Sequence, residues 1–416
     1  MAKKITETST DYDNPYRPLP IKLLNAVGPL LGLTRKLSAD ALLKSARNKA
    51  GLNDFGDEWF IEPLSILVDS INKEAHLTAL GMLIQKGRLV DALVTRLRIE
   101  ALYKQHPEIL DIDLGKLLII AGLQRTGTTT LHRLLAADPD MRSLASWEAQ
   151  FPVPLPGEKT GEPTGRMKKT HFMEKGLAYL SPEFFAIHPV EHDAPEEDIL
   201  LLDLSFMSQT PEAIMHVPSY AAWLEKADST PAYEYLKKVL KVLHWQRPAK
   251  NWVLKTPHHM EYLETLVKVF PEAKIIQTHR DPQKTMGSFC SMVAHGRGIF
   301  SDDVDAMEVA NHWTRKVDRM IRHTLQAREK MPAGQSIDVS YYDIIKDPLN
   351  EIKRIYAMAG IEFTPAVEAQ VKATMAANKQ HRYGRHVYHL ESFGLTKASI
   401  DEQFGYYREK HQIPHE

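Results

Sequence analysis

With 416 residues, 43% of them hydrophobic and 25% charged, the chain is long enough for one large core or for a core with an added layer. Fifty-two basic against fifty-three acidic side chains leave a formal net charge of -1, which excludes a global field for nucleic acid or an anionic membrane, so any anion site must be local. A single cysteine, Cys290, excludes an internal disulfide and suits a reducing, cytoplasmic setting.

The first twenty residues are polar and lack the apolar stretch of a secretory signal. No run reaches the roughly 18 to 20 apolar residues that span a bilayer. Residues 21–37, "IKLLNAVGPLLGLTRKL", predict a helix and turn packed on the core; the alternative is an apolar surface for a greasy substrate or a peripheral membrane contact. From 38 to 105 apolar residues recur every three or four positions, which predicts several amphipathic helices and no strand. At 117–121 a continuous apolar run meets glycine and then a helical pattern, the sign of a buried strand feeding a loop and a helix. The next strand lies about 130 residues on, too far for a plain crossover. Between them come a Pro/Gly-rich loop, "FPVPLPGEKTGEPTGR", and helical patterns near 166–179, 195–208, 219–226 and 232–245. This insertion, about 150–248, suits substrate walls or a lid. Strands follow at 252–255, 274–278 and near 337–340, each leading into helix. The fold class expected is α/β: a parallel sheet flanked by helices, with ligands at the carboxyl ends of its strands. Residues 1–113 form an all-helical segment packed on the main domain, 114–416.

The loop "GLQRTGTTT" carries the first chemistry. Gly122 and Gly127 let backbone amides turn inward, and a helix starting near Thr128 adds free amides and the positive end of its dipole. In a nucleotide triphosphatase, lysine follows the second glycine and the next hydroxyl binds magnesium. Here Thr128, Thr129 and Thr130 take those places behind Thr126, and the cation is Arg125. A planar fork that stays charged suits two oxygens of a phosphate or sulfate ester. No strand ends in a clear acidic magnesium position, so no metal is expected; Asp281, followed by proline, reads as a helix start. A second anion site is read in "THRDPQKTMGSFCS", where Arg280 ends a strand and Ser288 follows eight residues later on a helix.

Together "GLQRTGTTTLHRLLAADPDM", "WVLKTPHHMEYLETLVKVFPEAKIIQTHRDPQKTMGSFCS" and "HRYGRHVYHLESFGLT" resemble the bacterial branch of the sulfotransferases that use 3'-phosphoadenosine 5'-phosphosulfate, over roughly residues 114 to 416. The resemblance implies a P-loop-NTPase-like sheet with a helical insertion between its first and second core strands. It implies that Arg125, Gly127, Thr128 and Thr129 hold the 5'-phosphosulfate and Arg280 and Ser288 the 3'-phosphate. Arg382 and Arg385 resemble a late basic loop over that phosphate, without the family's full Arg-Lys-Gly form. The reaction implied is in-line transfer of a sulfuryl group to a hydroxyl or amine, leaving adenosine 3',5'-bisphosphate, with Lys255 reaching the bridging oxygen. Two general bases stand open: Glu148, because related branches place a glutamate after the loop helix, and His258, because "LKTPHH" resembles the Lys-Thr-His of the cytosolic branch with Pro257 intervening.

Other clusters read as structural. In "HPVEHDAPEEDILLLDLSF" no spacing fits a zinc motif, and Glu196, Glu197 and Asp198 read as an acidic helix start after Pro195, with His192 or Asp193 free to face the acceptor. His386 and His389 read as surface or packed residues. The acceptor expected is a small, hydroxylated, partly apolar molecule and not a nucleic acid; the N-terminal helices offer a surface for a homodimer. The rivals are a nucleotide-dependent kinase with a modified phosphate loop and a non-catalytic nucleotide-binding protein.

Overall fold

The computed structural model describes residues 5–159, 161–377 and 385–416. Five strands, β1 Lys116–Ile120, β2 Met141–Ser143, β3 Asn251–Lys255, β4 Lys274–His279 and β5 Ser336–Ser340, form one sheet in the order β2-β3-β1-β4-β5. Every pairing is parallel. Successive side chains of a strand point to opposite faces. Leu117 and Ile119 accordingly join Trp252, Leu254 and Ile275 in one core, while Leu118 and Ile120 join Val253, Ile276 and Val339 in another. Because both faces are covered, β1 reads as an unbroken apolar run.

The first core also contains Leu42, Phe60 and Leu93 from the N-terminal helices and Leu236 and Leu243 from the insertion, so these layers pack on the sheet's own core. Helices Ala39–Ala50 and Ala79–Gln105 begin on Ser38 and Thr78, whose hydroxyls accept from the amides of Ala41 and Gly81. Arg96, on the longer helix, is wholly buried: its guanidinium lies 3.9 Å from the Phe60 ring centre and 4.0 Å from that of Tyr235, and donates to the Leu204 carbonyl at 3.0 Å. That one side chain ties the N-terminal layer to the insertion. Helices Thr128–Leu135, Pro348–Ala359 and Pro365–Ala377 cover the second face.

Three expectations need correction. The three residues of β2 are too few to show a periodicity and were invisible to a pattern reading. The helix expected over 195–208 shrinks to Ile199–Leu202 and a 3-10 turn, Asp203–Ser205, ended by Phe206 at φ 57°. Asp198 does not cap that helix; its carboxylate turns instead to the end of β3. Finally, the expected packing of 21–37 holds only in part: Gly28 is buried and Leu37 packs against the core, but the helix Leu19–Val27 buries none of its residues and leaves an exposed apolar surface. No described helix is long and apolar enough to cross a membrane.

In the sheet β1 lies between β3 and β4, with Ile120 paired to Lys255 on one side and Ile276 on the other. The loop after β1, Lys255 at the end of β3 and Arg280 just beyond β4 therefore meet at one carboxyl edge, where open α/β sheets bind ligands.

Candidate active site

The loop after β1 is held open by tight packing beneath it. A Cβ on Gly122 would lie 1.9 Å from the Thr278 hydroxyl oxygen, so no larger residue fits. Thr126 is fully buried and donates to the Leu123 carbonyl at 2.6 Å, which leaves Thr278 as the donor of the 2.6 Å bond between the two threonine hydroxyls. The hydroxyl of Thr126, expected among the cofactor-binding residues, is thus engaged in bracing the loop. Gly127 at φ 87° and Arg125 at φ 67° both occupy the left-handed region, and for arginine that conformation is a strained one. The helix Thr128–Leu135 starts at Gly127 without any side-chain cap, leaving its first amides without a side-chain acceptor at the loop. Thr128 is buried, Thr130 half-buried and Thr129 exposed. Gly122→Ala is expected to distort the loop and cost about 1–3 kcal/mol, read as a lowered thermal midpoint together with lost nucleotide binding.

Arg280 is fixed from three sides. It donates to the Arg125 carbonyl at 3.1 Å, its guanidinium stacks 3.9 Å from the Tyr341 ring centre, and its Nε and Nη2 hold the two carboxylate oxygens of Glu416 at 2.7 and 3.0 Å. A two-oxygen anion thus already sits on its fork. The surrounding protein and the charge of Arg280 lower the pKa of Arg125 from the ordinary arginine value. Asp281 caps the next helix, Pro282–Arg297, by accepting from the Gln283 amide at 2.9 Å. On that helix the buried Ser288 hydroxyl shares a 3.2 Å hydrogen bond with His386 Nδ1, and His386 Nε2 lies 2.9 Å from the Ser291 hydroxyl. Burial, then the charge of Arg125, push His386 down to about 3. His386 is thus a packed residue, as expected, held between Ser288 and Ser291. Arg385 pairs through its backbone with Thr6 and Thr8 and extends an exposed side chain to Glu7 at 3.6 Å; Arg382 lies outside the described residues.

At the end of β3, Lys255 Nζ meets Glu197 at 2.5 Å, both side chains mostly shielded from water. The Lys255 amide donates to Asp198 at 3.0 Å, Asp198 pairs with His259 Nε2 at 2.8 Å, and His259 Nδ1 meets the Tyr233 hydroxyl at 2.9 Å. This buried chain fixes the backbone from which Lys255 projects. Burial opposes the charge of Asp198, but the facing His259 outweighs it and holds the carboxyl below its ordinary value. His188, half-buried, feels Glu196 and Glu197 on one side and Lys255 and Arg125 on the other; burial still lowers its pKa. Beneath Lys255, His132 is buried, and burial and the lysine charge push it down to about 3. An unfolded histidine titrates near 6.5. Stability from neutral His132 and His386 is therefore complete above about pH 6.5 and falls as the pH drops towards 3, because only the unfolded chain takes up the protons. The thermal midpoint is expected to decline on acidification below about pH 6.5, and His132→Asn to flatten that decline.

The sequence profile described as the sulfotransferase family matches residues 118–365. The chain belongs to that family. This sulfotransferase is 32% identical to sulfotransferase STF1 of Mycobacterium tuberculosis, with a TM-score of 0.79 over 89% of this chain and 99% of that one. It is 28% identical to STF9 of Mycobacterium avium, with a TM-score of 0.80 over 91% and 97% of the two chains. Among curated proteins it is 24% identical over 310 residues, 69% of this chain and 73% of the relative, to the omega-hydroxy-beta-dihydromenaquinone-9 sulfotransferase Stf3 of Mycobacterium tuberculosis.

In this sulfotransferase the two expected bases, Glu148 and His258, sit in contrasting surroundings. Glu148 is buried and fully engaged: Arg142 donates to it at 2.6 Å, Arg247 at 2.7 Å and the Ala145 amide at 3.1 Å. Its partner Arg142 is lowered by burial to about 10 and drawn back up by the Glu148 charge, so the glutamate stands as the buried counter-ion of two arginines. His258 is 1% exposed and packs 4.6 Å from the Tyr262 ring, and neither of its ring nitrogens has a hydrogen-bond partner among the described residues. His192 is also engaged, its Nδ1 2.8 Å from Glu174 on the helix Thr164–Leu180. The acids read as a helix start, Glu197 and Asp198, are the ones that reach Lys255. Their signal lay in three successive acids midway along the insertion, but the lysine they serve is 58 residues from Glu197.

Proposed function

We propose that this sulfotransferase takes its sulfuryl group from 3'-phosphoadenosine 5'-phosphosulfate and places it on a hydroxyl of a small apolar acceptor. The observation that carries this is the joining of two arginines, Arg280 bonded to the Arg125 carbonyl, with Lys255 on the neighbouring strand end. Arg125, Gly127, Thr128, Thr129 and Thr130 would hold the 5'-phosphosulfate at the helix start, where free amides and the helix dipole favour an anion. Arg280 and Ser288 would hold the 3'-phosphate; the Glu416 carboxylate on Arg280 supports this, since it has the charge and the paired oxygens of that group. Glu416 leaves as the nucleotide enters.

In transfer, the acceptor oxygen attacks sulfur while the bond from sulfur to the donor's phosphate oxygen breaks. Charge grows on that departing oxygen, where Arg125, the loop amides and Lys255 stabilise it. The acceptor proton goes to Glu197, whose carboxylate is released as Lys255 turns to the bridging oxygen. The acceptor reading draws on the relative named for a hydroxylated dihydromenaquinone and on the apolar insertion residue Phe184, whose ring lies 6.0 Å from that of His188. Incubation with radiolabelled phosphosulfate donor and a panel of hydroxylated isoprenoids, phenols and a polysaccharide tests it. Label on an apolar alcohol supports the reading, whereas label only on the polysaccharide refutes the acceptor class.

A further inference from the structure

We infer that the N-terminal segment around the helix Leu19–Val27 docks this protein on an anionic lipid bilayer. Leu19, Leu23 and Val27 stand four residues apart on one stripe of that helix, and Leu30 and Leu31 continue the surface in the following turn. These five side chains are between 46% and 87% exposed. The helix is attached from its opposite side by small and polar contacts. Asn25 accepts from the Leu80 amide at 3.1 Å, and Gly28 lies so close to Ala79 that an added Cβ would sit 2.3 Å from it. The leucines are left facing outward by construction, and scattered exposure of single apolar residues does not account for five in thirteen positions.

Charge selects the occupant. Residues 14–39 contain Arg17, Lys22, Arg35 and Lys36 and no acidic residue, in a chain whose overall balance is -1. Arg17 is taken by Asp302, but Lys22, Arg35 and Lys36 are exposed and make no ion pair with another described residue. In a symmetric pair of copies the same patch meets itself, which would set these cations against their own images. Anionic headgroups neutralise them while the leucines enter the boundary of the acyl chains, the arrangement of an interfacial amphipathic helix. The surface argument stands apart from the acceptor reading and survives its failure.

The test is sedimentation of the full chain with vesicles of phosphatidylcholine alone or with about a third phosphatidylglycerol, in low and high salt. Binding is expected to the anionic vesicles, weaker in high salt, and to fall at least about tenfold in the triple variant Leu23→Gln, Leu30→Gln, Leu31→Gln. Lys22→Gln with Lys36→Gln is expected to erase the preference for anionic lipid while leaving the fold intact. Unchanged binding of adenosine 3',5'-bisphosphate by each variant certifies that it is folded. Equal sedimentation of wild type and triple variant overturns the inference, as does a wild-type dimer that the triple variant dissociates without any vesicle binding.

Discussion

Arg125→Ala is expected to lower turnover by roughly two to three orders of magnitude, the scale set by removing one preorganised donor to a developing oxyanion. The side chain is the one cation of the loop after β1, placed by a left-handed backbone conformation in a turn braced by the Thr126–Thr278 hydrogen bond. Its loss leaves the loop amides and Lys255 to carry the departing phosphate charge. Arg125→Lys keeps the charge and loses the planar fork, so it should recover only part of the deficit. Steady-state rates with saturating donor read the effect, and a wild-type rate in Arg125→Ala would remove the loop from the chemistry.

Glu197→Gln is expected to slow turnover by roughly 10²- to 10⁴-fold, the range for a lost general base, while leaving nucleotide affinity nearly intact. The reason is positional: Glu197 meets Lys255 at 2.5 Å, at the carboxyl edge where the loop and Arg280 converge. Glu148→Gln provides the contrast. It strips the buried Arg142 of its counter-ion and should destabilise the fold by about 3 kcal/mol, with turnover per folded molecule close to wild type. Should Glu148→Gln lose turnover while Glu197→Gln keeps it, the assignment of the base is reversed.

How much of this was legible in the sequence depended on distance along the chain. The loop "GLQRTGTT" and the spacing from Arg280 to Ser288 are local patterns, and strands buried on both faces announce themselves as apolar runs. The pairing of Glu148 was not legible because its partners, Arg142 six residues away and Arg247 ninety-nine away, are chosen by the fold. The same holds in reverse for Glu197, whose role follows from a lysine on another element. Thr126 looked like its threonine neighbours and was set apart only by contact with Thr278, 152 residues on. In the segment 19–31 the apolar stripe was visible, but periodicity gives the direction of a stripe and not what covers it.

The most direct test of the account is calorimetric titration with adenosine 3',5'-bisphosphate, adenosine 5'-monophosphate and magnesium ATP. Tight binding of the bisphosphate is expected, with affinity falling at least about tenfold both when the 3'-phosphate is absent and in Arg280→Ala, the scale of a hydrogen-bonded charge. Binding of magnesium ATP in preference to the bisphosphate, untouched by Arg280→Ala, would contradict it.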